Sequence, residues 1–538
     1  MGRPGAQDDG EPGRPYPPAG GPARGRAQVP VPPSNPVPPQ QAPPSRRPAA
    51  ASPQQPQQQP HQPQPWPAGQ GVAEVPTGDP PKSGKPRRLL WISGLALLLV
   101  VMAGALLVVR PAPVRALLGE PTTTASPTAS PPPPEPVLGD LASASPPPTA
   151  AGLAAALDAL AGDPRVGQLS ASIVDVVSGE SLYDRSGQVP KVPASVNKLV
   201  TAAAVLATRG PAHRLATRAV KGPEPGEVVL VGAGDPTLAV DGADTYRGAA
   251  RLDKLAAQVK RALGATRPTR VLVDPSVFTG PALGPGWDSD IAVYGYAAPI
   301  TGLMVNGGRV RPKQQAPRSR QPDLAAGQVF AKLLGVPPSA VTVGRAGQGA
   351  TELGAVDSLS VLRLVEIMLR DSDNVVAESL ARQVALARGA PASFEGAAQA
   401  TTEVLEELGL PTGQVRLFDG SGLSRNNRLT TALLAAVLTF AAGDDHAKLS
   451  GLFAGLPVAG YSGTLHDRFA GHSGTAAGLV RAKTGTLNGV SALAGVVVDA
   501  DGRLLSFSLI ANGVPGGPDA AEAVLDRIAA ALAGCGCR

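Results

Sequence analysis

The chain has 538 residues, enough for two or three domains, and its Pro (59) and Gly (64) residues are concentrated in particular segments. The net charge of +6 comes largely from the N-terminal tail and a short basic cluster, and aromatic residues make up only 3% of the chain. A nucleic-acid-binding face needs a basic stripe interleaved with aromatic residues, and this chain has none. The His and Cys residues lack the spacing of a metal site, so we expect neither a metal nor a cofactor.

Three segments come before the globular part. Residues 1–86 are rich in Pro, Gln, Gly and Arg and have almost no apolar periodicity, which predicts a disordered tail. Residues 89–109 carry no charge over a length that spans a bilayer, so they predict a transmembrane helix. Residues 110–150 are rich in Pro, Thr and Ser and are typical of a semi-stiff spacer.

Charges beside the apolar segment predict its orientation. Lys82, Lys85, Arg87 and Arg88 lie on its N-terminal side. Because positive residues favour the cytoplasmic side of a membrane, the tail is expected in the cytosol. We therefore predict a single-pass cell-membrane protein whose globular part is extracytoplasmic.

The globular part predicts an α+β fold. A helix near 153–160 and a hairpin over 169–183 begin it, and three neighbouring strands followed by a helix at 519–532 end it. The short connections between those strands make them antiparallel. One antiparallel sheet with helices on both faces fits this order, with the first and last helices packed together.

Between these parts the pattern changes to short strands and turns, with one helix near 252–263. We therefore predict a mainly β domain at 216–355, inserted into a first domain made of 151–215 and 356–534. Both cysteines, Cys535 and Cys537, lie in the last four residues. They can pair with each other, with a partner or not at all, and we expect an unpaired tail.

The first candidate catalytic residues are Ser195 and Lys198, which lie three residues apart at the start of a predicted buried helix. Three residues along a helix return a side chain to the same face, so the amine can lie beside the hydroxyl. A serine hydroxyl becomes a good nucleophile only when an adjacent base takes its proton. The spacing alone is a weak signal, because Ser is a common helix N-cap and Lys a common surface residue.

Two further motifs strengthen that interpretation. Ser372-Asp373-Asn374 lies between two helical patterns, and Lys483-Thr484-Gly485 lies in a predicted strand. With Ser195-x-x-Lys198, and in this order, they resemble the three signatures of the penicillin-recognising serine enzymes. The resemblance implies a domain like that of the serine transpeptidases and β-lactamases.

The arrangement most resembles the class C low-molecular-mass penicillin-binding proteins, which are D-alanyl-D-alanine carboxypeptidases and endopeptidases. The long gap between the first two motifs indicates an inserted domain, and the resemblance covers about 152–533. It rests also on the following stretches: Val231-Gly232-Ala233-Gly234-Asp235-Pro236-Thr237-Leu238, Asp419-Gly420-Ser421-Gly422-Leu423-Ser424-Arg425, and Ala377-Glu378 after the second motif.

The resemblance implies roles for the residues on the helical side. Ser195 would attack the carbonyl between two D-alanines of a peptidoglycan stem peptide and form an acyl-enzyme, with Lys198 as proton acceptor. Ser372 would relay a proton to the leaving amine, and Asn374 would bind the peptide backbone. β-Lactam antibiotics would acylate the same serine.

It also implies roles for the strand. Lys483 would add a positive field that helps keep Lys198 neutral and attracts the terminal carboxylate. Thr484 and Thr486 would donate to that carboxylate, and the backbone N–H groups of Ser195 and Thr486 would form the oxyanion hole. Glycine at 485 permits close backbone approach.

Two residues match positions that contact a diaminopimelyl side chain in this family. Arg425 would bind its far carboxylate, since Arg suits bidentate recognition of carboxylates. An aspartate in Gly286-Trp287-Asp288-Ser289-Asp290 would face its ammonium; we favour Asp290, although the spacing fits Asp288 as well. A surface arginine and a solvated turn are the alternatives.

Other functions fit the sequence less well than this one. A Ser-His-Asp hydrolase is disfavoured because no Gly-x-Ser-x-Gly elbow accompanies the five histidines. A β-lactamase or esterase of the same superfamily, and a catalytically silent cell-wall scaffold, stay as alternatives. The balance between carboxypeptidase and endopeptidase activity is open at this point.

Overall fold

The computed structural model describes residues 145–242, 245–313, 316–469 and 471–536. All of them belong to one compact unit. No helix within these ranges is long and apolar enough to cross a membrane. The predicted tail, the predicted transmembrane helix at 89–109 and nearly all of the predicted spacer lie outside the described residues.

The described residues form ten strands and ten α-helices, numbered in chain order. The strands β1 to β10 are Gln168–Asp175, Ser181–Arg185, Ala216–Lys221, Glu227–Val231, Arg270–Asp274, Val341–Val343, Glu352–Asp357, Val480–Leu487, Val490–Val498 and Leu504–Asn512. The helices α1 to α10 are Ala150–Ala161, Lys198–Arg209, Leu252–Leu263, Pro322–Leu334, Val361–Arg370, Asn374–Ala387, Phe394–Glu407, Thr431–Ala442, Gly451–Gly455 and Pro518–Ala533.

The first sheet has the order β2-β1-β10-β9-β8, and all its neighbouring strands are antiparallel. β9 is apolar along nearly its whole length because helices cover both faces of the sheet. Ala492 and Ala494 face the core that includes α2, whereas Leu493 and Val497 face the core that includes α1 and α10. The predicted α+β architecture, with the first and last helices packed together, is confirmed.

The second sheet has the order β6-β5-β4-β3-β7 and lies in the predicted insertion. β4, β5 and β6 are parallel, and β3 is antiparallel to both of its neighbours. Parallel strands need crossover connections, and here α3 and α4 supply them. The sequence predicted α3 with its observed bounds but did not predict α4, so the region holds more helix than expected.

The inserted region begins and ends at neighbouring strands. Ala216 at the start of β3 pairs with Asp357 at the end of β7. Just outside this pair, Leu215 and Ser358 exchange two hydrogen bonds of 2.9 Å. The chain therefore enters the part that contains the second sheet after α2 and leaves it before α5 at one place.

The C-terminal cysteine Cys535 follows α10 and is buried at 3% exposure. It is disulfide-bonded. The prediction of an unpaired terminal thiol is therefore wrong for Cys535, which is buried in the same core as side chains of α10.

Candidate active site

Ser195 lies in a 3₁₀ turn, Ala194–Asn197, directly before α2, which begins at Lys198. The Lys198 Nζ lies 2.8 Å from the Ser195 Oγ, as the three-residue spacing predicts. The backbone before the serine is strained, since Ala194 has φ of +49°. Gly422 permits this path, because a Cβ at 422 would lie 1.9 Å from the Ala194 carbonyl oxygen.

The Lys198 amine is completely buried and has three acceptors. Besides Ser195, these are Asn374 Oδ1 at 2.7 Å and the Ser421 carbonyl oxygen at 2.7 Å. Three acceptors satisfy the three N–H bonds of an ammonium group. Burial lowers the pKa of Lys198 to about 8, although the negative charges of Asp419, Glu378 and Asp373 oppose that shift.

The second motif fills the short connection between α5 and α6. Ser372 has φ of +55°, an uncommon value outside glycine. Asp373 caps α6 by accepting from the backbone N–H groups of Val375 (3.0 Å) and Val376 (3.1 Å). Asn374 is held at both ends of its amide, because its Nδ2 donates to the Tyr296 carbonyl oxygen at 3.0 Å while its Oδ1 accepts from Lys198.

Asp373 is also tied to the inserted region. Its Oδ2 accepts from the Tyr246 hydroxyl at 2.7 Å and from Arg309 Nη2 at 3.2 Å. Burial alone raises the pKa of Asp373, but the Arg318 and Arg309 guanidinium groups and these hydrogen bonds outweigh it and hold the pKa at about 2. Asp373 is therefore ionised at neutral pH, and it orients the loop carrying Ser372 and Asn374.

The third motif lies on the edge strand β8, which packs against the 3₁₀ turn of Ser195. A Cβ on Gly485 would lie 3.0 Å from the Ser195 backbone nitrogen and 3.0 Å from the Pro193 carbonyl oxygen. Glycine at 485 thus lets the strand approach the serine, as the sequence predicts.

Lys483 is buried and donates to the Thr484 carbonyl oxygen at 2.8 Å. Burial and the nearby charges of Lys198 and Arg468 hold the pKa of Lys483 well below its usual range. Lys198 therefore helps to lower the pKa of Lys483, whereas burial is the main cause of the lowered Lys198 pKa. The positive field that the sequence predicts from Lys483 stays a prediction for Lys198.

The three motifs meet at a cleft of about 750 Å³. Seven of the ten predicted site residues line it, namely Ser195, Asp290, Ser372, Asn374, Arg425, Thr484 and Thr486. The other three predicted site residues, Lys198, Lys483 and Gly485, do not line the cleft. Asp288 lines the cleft as well, so the structure does not separate it from Asp290.

The family follows from the sequence of this same region. The family model described as the D-Ala-D-Ala carboxypeptidase 3 (S13) family matches residues 153–319 and 309–534. The chain belongs to this family.

Individual S13-like proteins agree with that match. The chain is 45% identical over 398 residues to a carboxypeptidase of Mycobacterium tuberculosis, covering 72% of this chain and 85% of that protein. It is 30% identical over 466 residues to a D-alanyl-D-alanine carboxypeptidase of an Actinomadura species, covering 70% and 84%. The crystal structure of penicillin-binding protein 4 from Haemophilus influenzae has the same fold, with a TM-score of 0.59, 22% identity and coverage of 71% and 97%.

This S13 chain has a buried carboxylate, Glu378, to which sequence reasoning assigned no role. Glu378 accepts from the backbone N–H groups of Gly420 (3.1 Å) and Ser421 (2.8 Å). It thereby holds the Ser421 carbonyl, which accepts from Lys198. Burial and the neighbouring Asp419 raise the pKa of Glu378. Its position four residues after Asn374 on α6 puts both side chains on one helix face, a signal that was present in the sequence.

Sequence reasoning also missed Tyr246 and Arg309, since nothing local links them to Asp373 across more than 60 residues. Among the residues that the structure describes, no group of three or more His, Cys, Asp or Glu side chains is placed to hold a metal ion.

Proposed function

We propose that this chain is a serine D-alanyl-D-alanine carboxypeptidase that acts on peptidoglycan stem peptides through a Ser195 acyl-enzyme. The contact of 2.8 Å between Lys198 Nζ and Ser195 Oγ, at a cleft that also holds Asn374 and Thr486, carries the proposal. Relatives named as carboxypeptidases of this family support it.

Acylation begins with a proton transfer. Neutral Lys198 accepts the Ser195 proton while the Oγ attacks the carbonyl carbon of the penultimate D-alanine. The backbone N–H groups of Ser195 and Thr486 stabilise the oxyanion. The C–N bond then breaks, protonated Lys198 returns its proton through the Ser372 hydroxyl to the departing amine, and free D-alanine leaves. Water hydrolyses the ester and returns the proton to Ser195.

The lysine suits this work because its pKa of about 8 lies close to neutral pH. A base transfers protons best when its pKa is near the operating pH. An exposed lysine, with a pKa near 10.5, would be almost entirely protonated and unable to accept.

The outer wall of the cleft supports recognition of a zwitterionic side chain. Arg425 is exposed, and its Nη1 donates to the Asn488 carbonyl oxygen at 3.0 Å. Asp288 and Asp290 line the same cleft from the inserted region. A diamino acid of the stem peptide, with an ammonium and a carboxylate at its end, has charges complementary to Asp290 and Arg425.

β-Lactams are proposed as acylating ligands of Ser195. The Haemophilus influenzae protein with this fold has a crystal structure in complex with a β-lactam (TM-score 0.54, 20% identity). In this chain the same acyl-accepting geometry would open the β-lactam ring and leave a covalent ester.

We further propose that residues 89–109 anchor the chain in the cell membrane as a single-pass helix, with the tail in the cytosol and the catalytic domain outside. The apolar length and the flanking positive residues support this orientation. Protease treatment of intact protoplasts tests it, because digestion of residues 1–86 from outside would contradict the orientation.

Labelling with a fluorescent penicillin tests the acyl-enzyme. Wild type should acquire a stable label and release D-alanine from a stem pentapeptide, and Ser195→Ala should do neither. No label on wild type would favour the silent scaffold. Rapid β-lactam turnover without release of D-alanine would favour a β-lactamase, and cleavage of a cross-linked peptide dimer would add endopeptidase activity.

A further inference from the structure

Glu522 is another carboxylate that lines the cleft, and it contacts Thr486, which is expected to bind the substrate's own carboxylate. It projects from α10 and lines the same cleft as Ser195. Its Oε1 accepts a 2.7 Å hydrogen bond from Thr486 Oγ1, and its Oε2 lies 3.5 Å from Arg468 Nη1.

Arg468 is held by Asp526 so that its remaining nitrogen, Nη1, faces Glu522. Its Nε and Nη2 donate to the two oxygens of Asp526, at 3.1 and 2.5 Å, in a bidentate ion pair. Within the described residues, the polar contact of Nη1 is the 3.5 Å ion pair with Glu522. Because Arg468 lines the cleft, Nη1 and Thr486 present donors to one carboxylate position.

That position is filled in the structure by the protein itself. A threonine hydroxyl has one proton to donate. Thr486 gives its proton to Glu522, and Thr484 gives its proton to Thr464 Oγ1 at 2.8 Å. While these bonds persist, neither threonine can donate to a substrate carboxylate as the sequence predicts.

Charge gives a second reason for exclusion. Glu522 carries the same charge as a substrate carboxylate, and Arg468 is already paired with Asp526. A substrate carboxylate entering beside Glu522 would lie next to a like charge, and like charges at short range repel. Glu522 must therefore swing away before a terminal carboxylate can reach Thr486 and Arg468.

We infer that Glu522 is an internal competitor of the substrate's terminal carboxylate and a specificity-determining residue of this cleft. Arg468 Nη1 and Thr486 Oγ1 form the carboxylate site, and the substrate displaces Glu522 from it. A site that is free in about one tenth of the molecules binds with about tenfold weaker apparent affinity. This inference rests on the proposed carboxypeptidase function.

The test uses Glu522→Gln and two peptides that differ only at the C-terminus. One ends in D-Ala-D-Ala with a free carboxylate, and the other is its C-terminal amide. Glutamine keeps the shape but removes the charge, so KM for the acid should fall about tenfold while kcat stays within about twofold. The kinetic constants for the amide should not change.

Asp519→Asn is the matched control. Asp519 is an exposed carboxylate one turn earlier on α10, and it does not line the cleft. The Asp519→Asn substitution removes one negative charge from the same helix, and it should leave the ratio of the KM for the acid to the KM for the amide at the wild-type value. Arg468→Lys should raise KM for the acid and leave the amide unchanged, because the bidentate pair with Asp526 no longer orients a nitrogen toward the cleft.

Several outcomes would overturn the inference. If Glu522→Gln lowers kcat for both peptides alike, Glu522 only supports Thr486, and if the ratio of acid to amide KM is unchanged, no competition exists. Thermal unfolding of each variant identifies any loss of activity that is caused by a destabilised fold. If folded wild type turns over neither peptide, the proposed function itself is overturned. If wild type is active but Glu522→Gln has the same ratio of acid to amide KM, only the role of Glu522 is overturned.

Discussion

Trp287 Nε1 donates a 2.8 Å hydrogen bond to Asp419 Oδ2, which joins the inserted region to the loop that carries the Ser421 acceptor of Lys198. Asp419 has a full set of partners, since it also accepts from the backbone N–H groups of Gly422 and Ser424. The Trp287 ring packs edge-on against Phe394 at 5.3 Å.

This contact supports both proposed side-chain ligands, because Asp290 follows Trp287 and Arg425 lies in the Asp419 loop. Trp287→Phe replaces the indole with a smaller aromatic ring and removes a hydrogen bond to a carboxylate, so we expect a loss of about 2 kcal/mol in unfolding free energy. Selectivity for a stem peptide with a diamino acid over one with a neutral side chain should fall severalfold in kcat/KM.

Tyr294→Phe removes a polar group from the same wall and is the control. It should leave that selectivity unchanged. Equal selectivity of Trp287→Phe and wild type would show that the insertion does not position these ligands.

Gly485→Ala tests the approach of β8 to the nucleophile. The added Cβ would lie 3.0 Å from both the Ser195 nitrogen and the Pro193 oxygen, so the strand must move outward. Misplacing the oxyanion donors should slow penicillin acylation by about 10²-fold or more, with the fold retained.

Gly413→Ala serves as its control, since no atom lies within 4 Å of a Cβ there. It should acylate at the wild-type rate. An unimpaired Gly485→Ala would mean that the strand position does not control the oxyanion site.

The acylation rate should depend on the protonation of Lys198. Burial lowers the lysine pKa to about 8, and only the neutral amine can accept the Ser195 proton. The second-order rate of penicillin labelling should therefore rise about tenfold per pH unit below pH 8 and level off above it. A flat profile between pH 6 and 9 would contradict the assignment of Lys198 as base, and Lys198→Ala should show a flat, much slower profile.

Asp373 should make the fold sensitive to acid. Its pKa of about 2 in the folded protein is below the ordinary value of 3.8, so its stabilising effect is complete above about pH 4 and is lost as the pH falls toward 2. The difference corresponds to about 2 kcal/mol. Asp373→Asn should lose most of that stability at pH 6 and become less dependent on pH between 2 and 5.

Asp371→Asn is the control for this prediction, measured by chemical denaturation at the same pH values. Asp371 makes a 2.9 Å ion pair with Arg370 that is partly exposed to solvent, so its removal should cost under about 1 kcal/mol. Equal losses for both variants would contradict the role assigned to the buried carboxylate.

Local patterns in the sequence were sufficient for most elements and for the chemistry of the motifs. The alternating and helical spacings located the strands of the first sheet and the helix α3. Both spacings arise from local backbone geometry, so they can be recognised within a few residues of the sequence. The contact between Ser195 and Lys198 is of this kind, since it spans a single helical turn. The missed helix α4 begins at Pro322 and has a mixed composition, so its periodicity was weak.

Tertiary structure alone decided what those residues can do. The spacing of Lys198 says nothing of its pKa, which depends on complete burial and on the opposing charges of Asp419, Glu378 and Asp373, all far away in the chain. The contact between Thr486 and Glu522 likewise joins β8 to the last helix. Desolvation and charge depend on what long-range packing brings together, whereas sequence patterns report only near neighbours. The sequence by itself therefore determined the reactive residue types and their spacing, and the fold determined their burial, their charged neighbours and their hydrogen-bond partners.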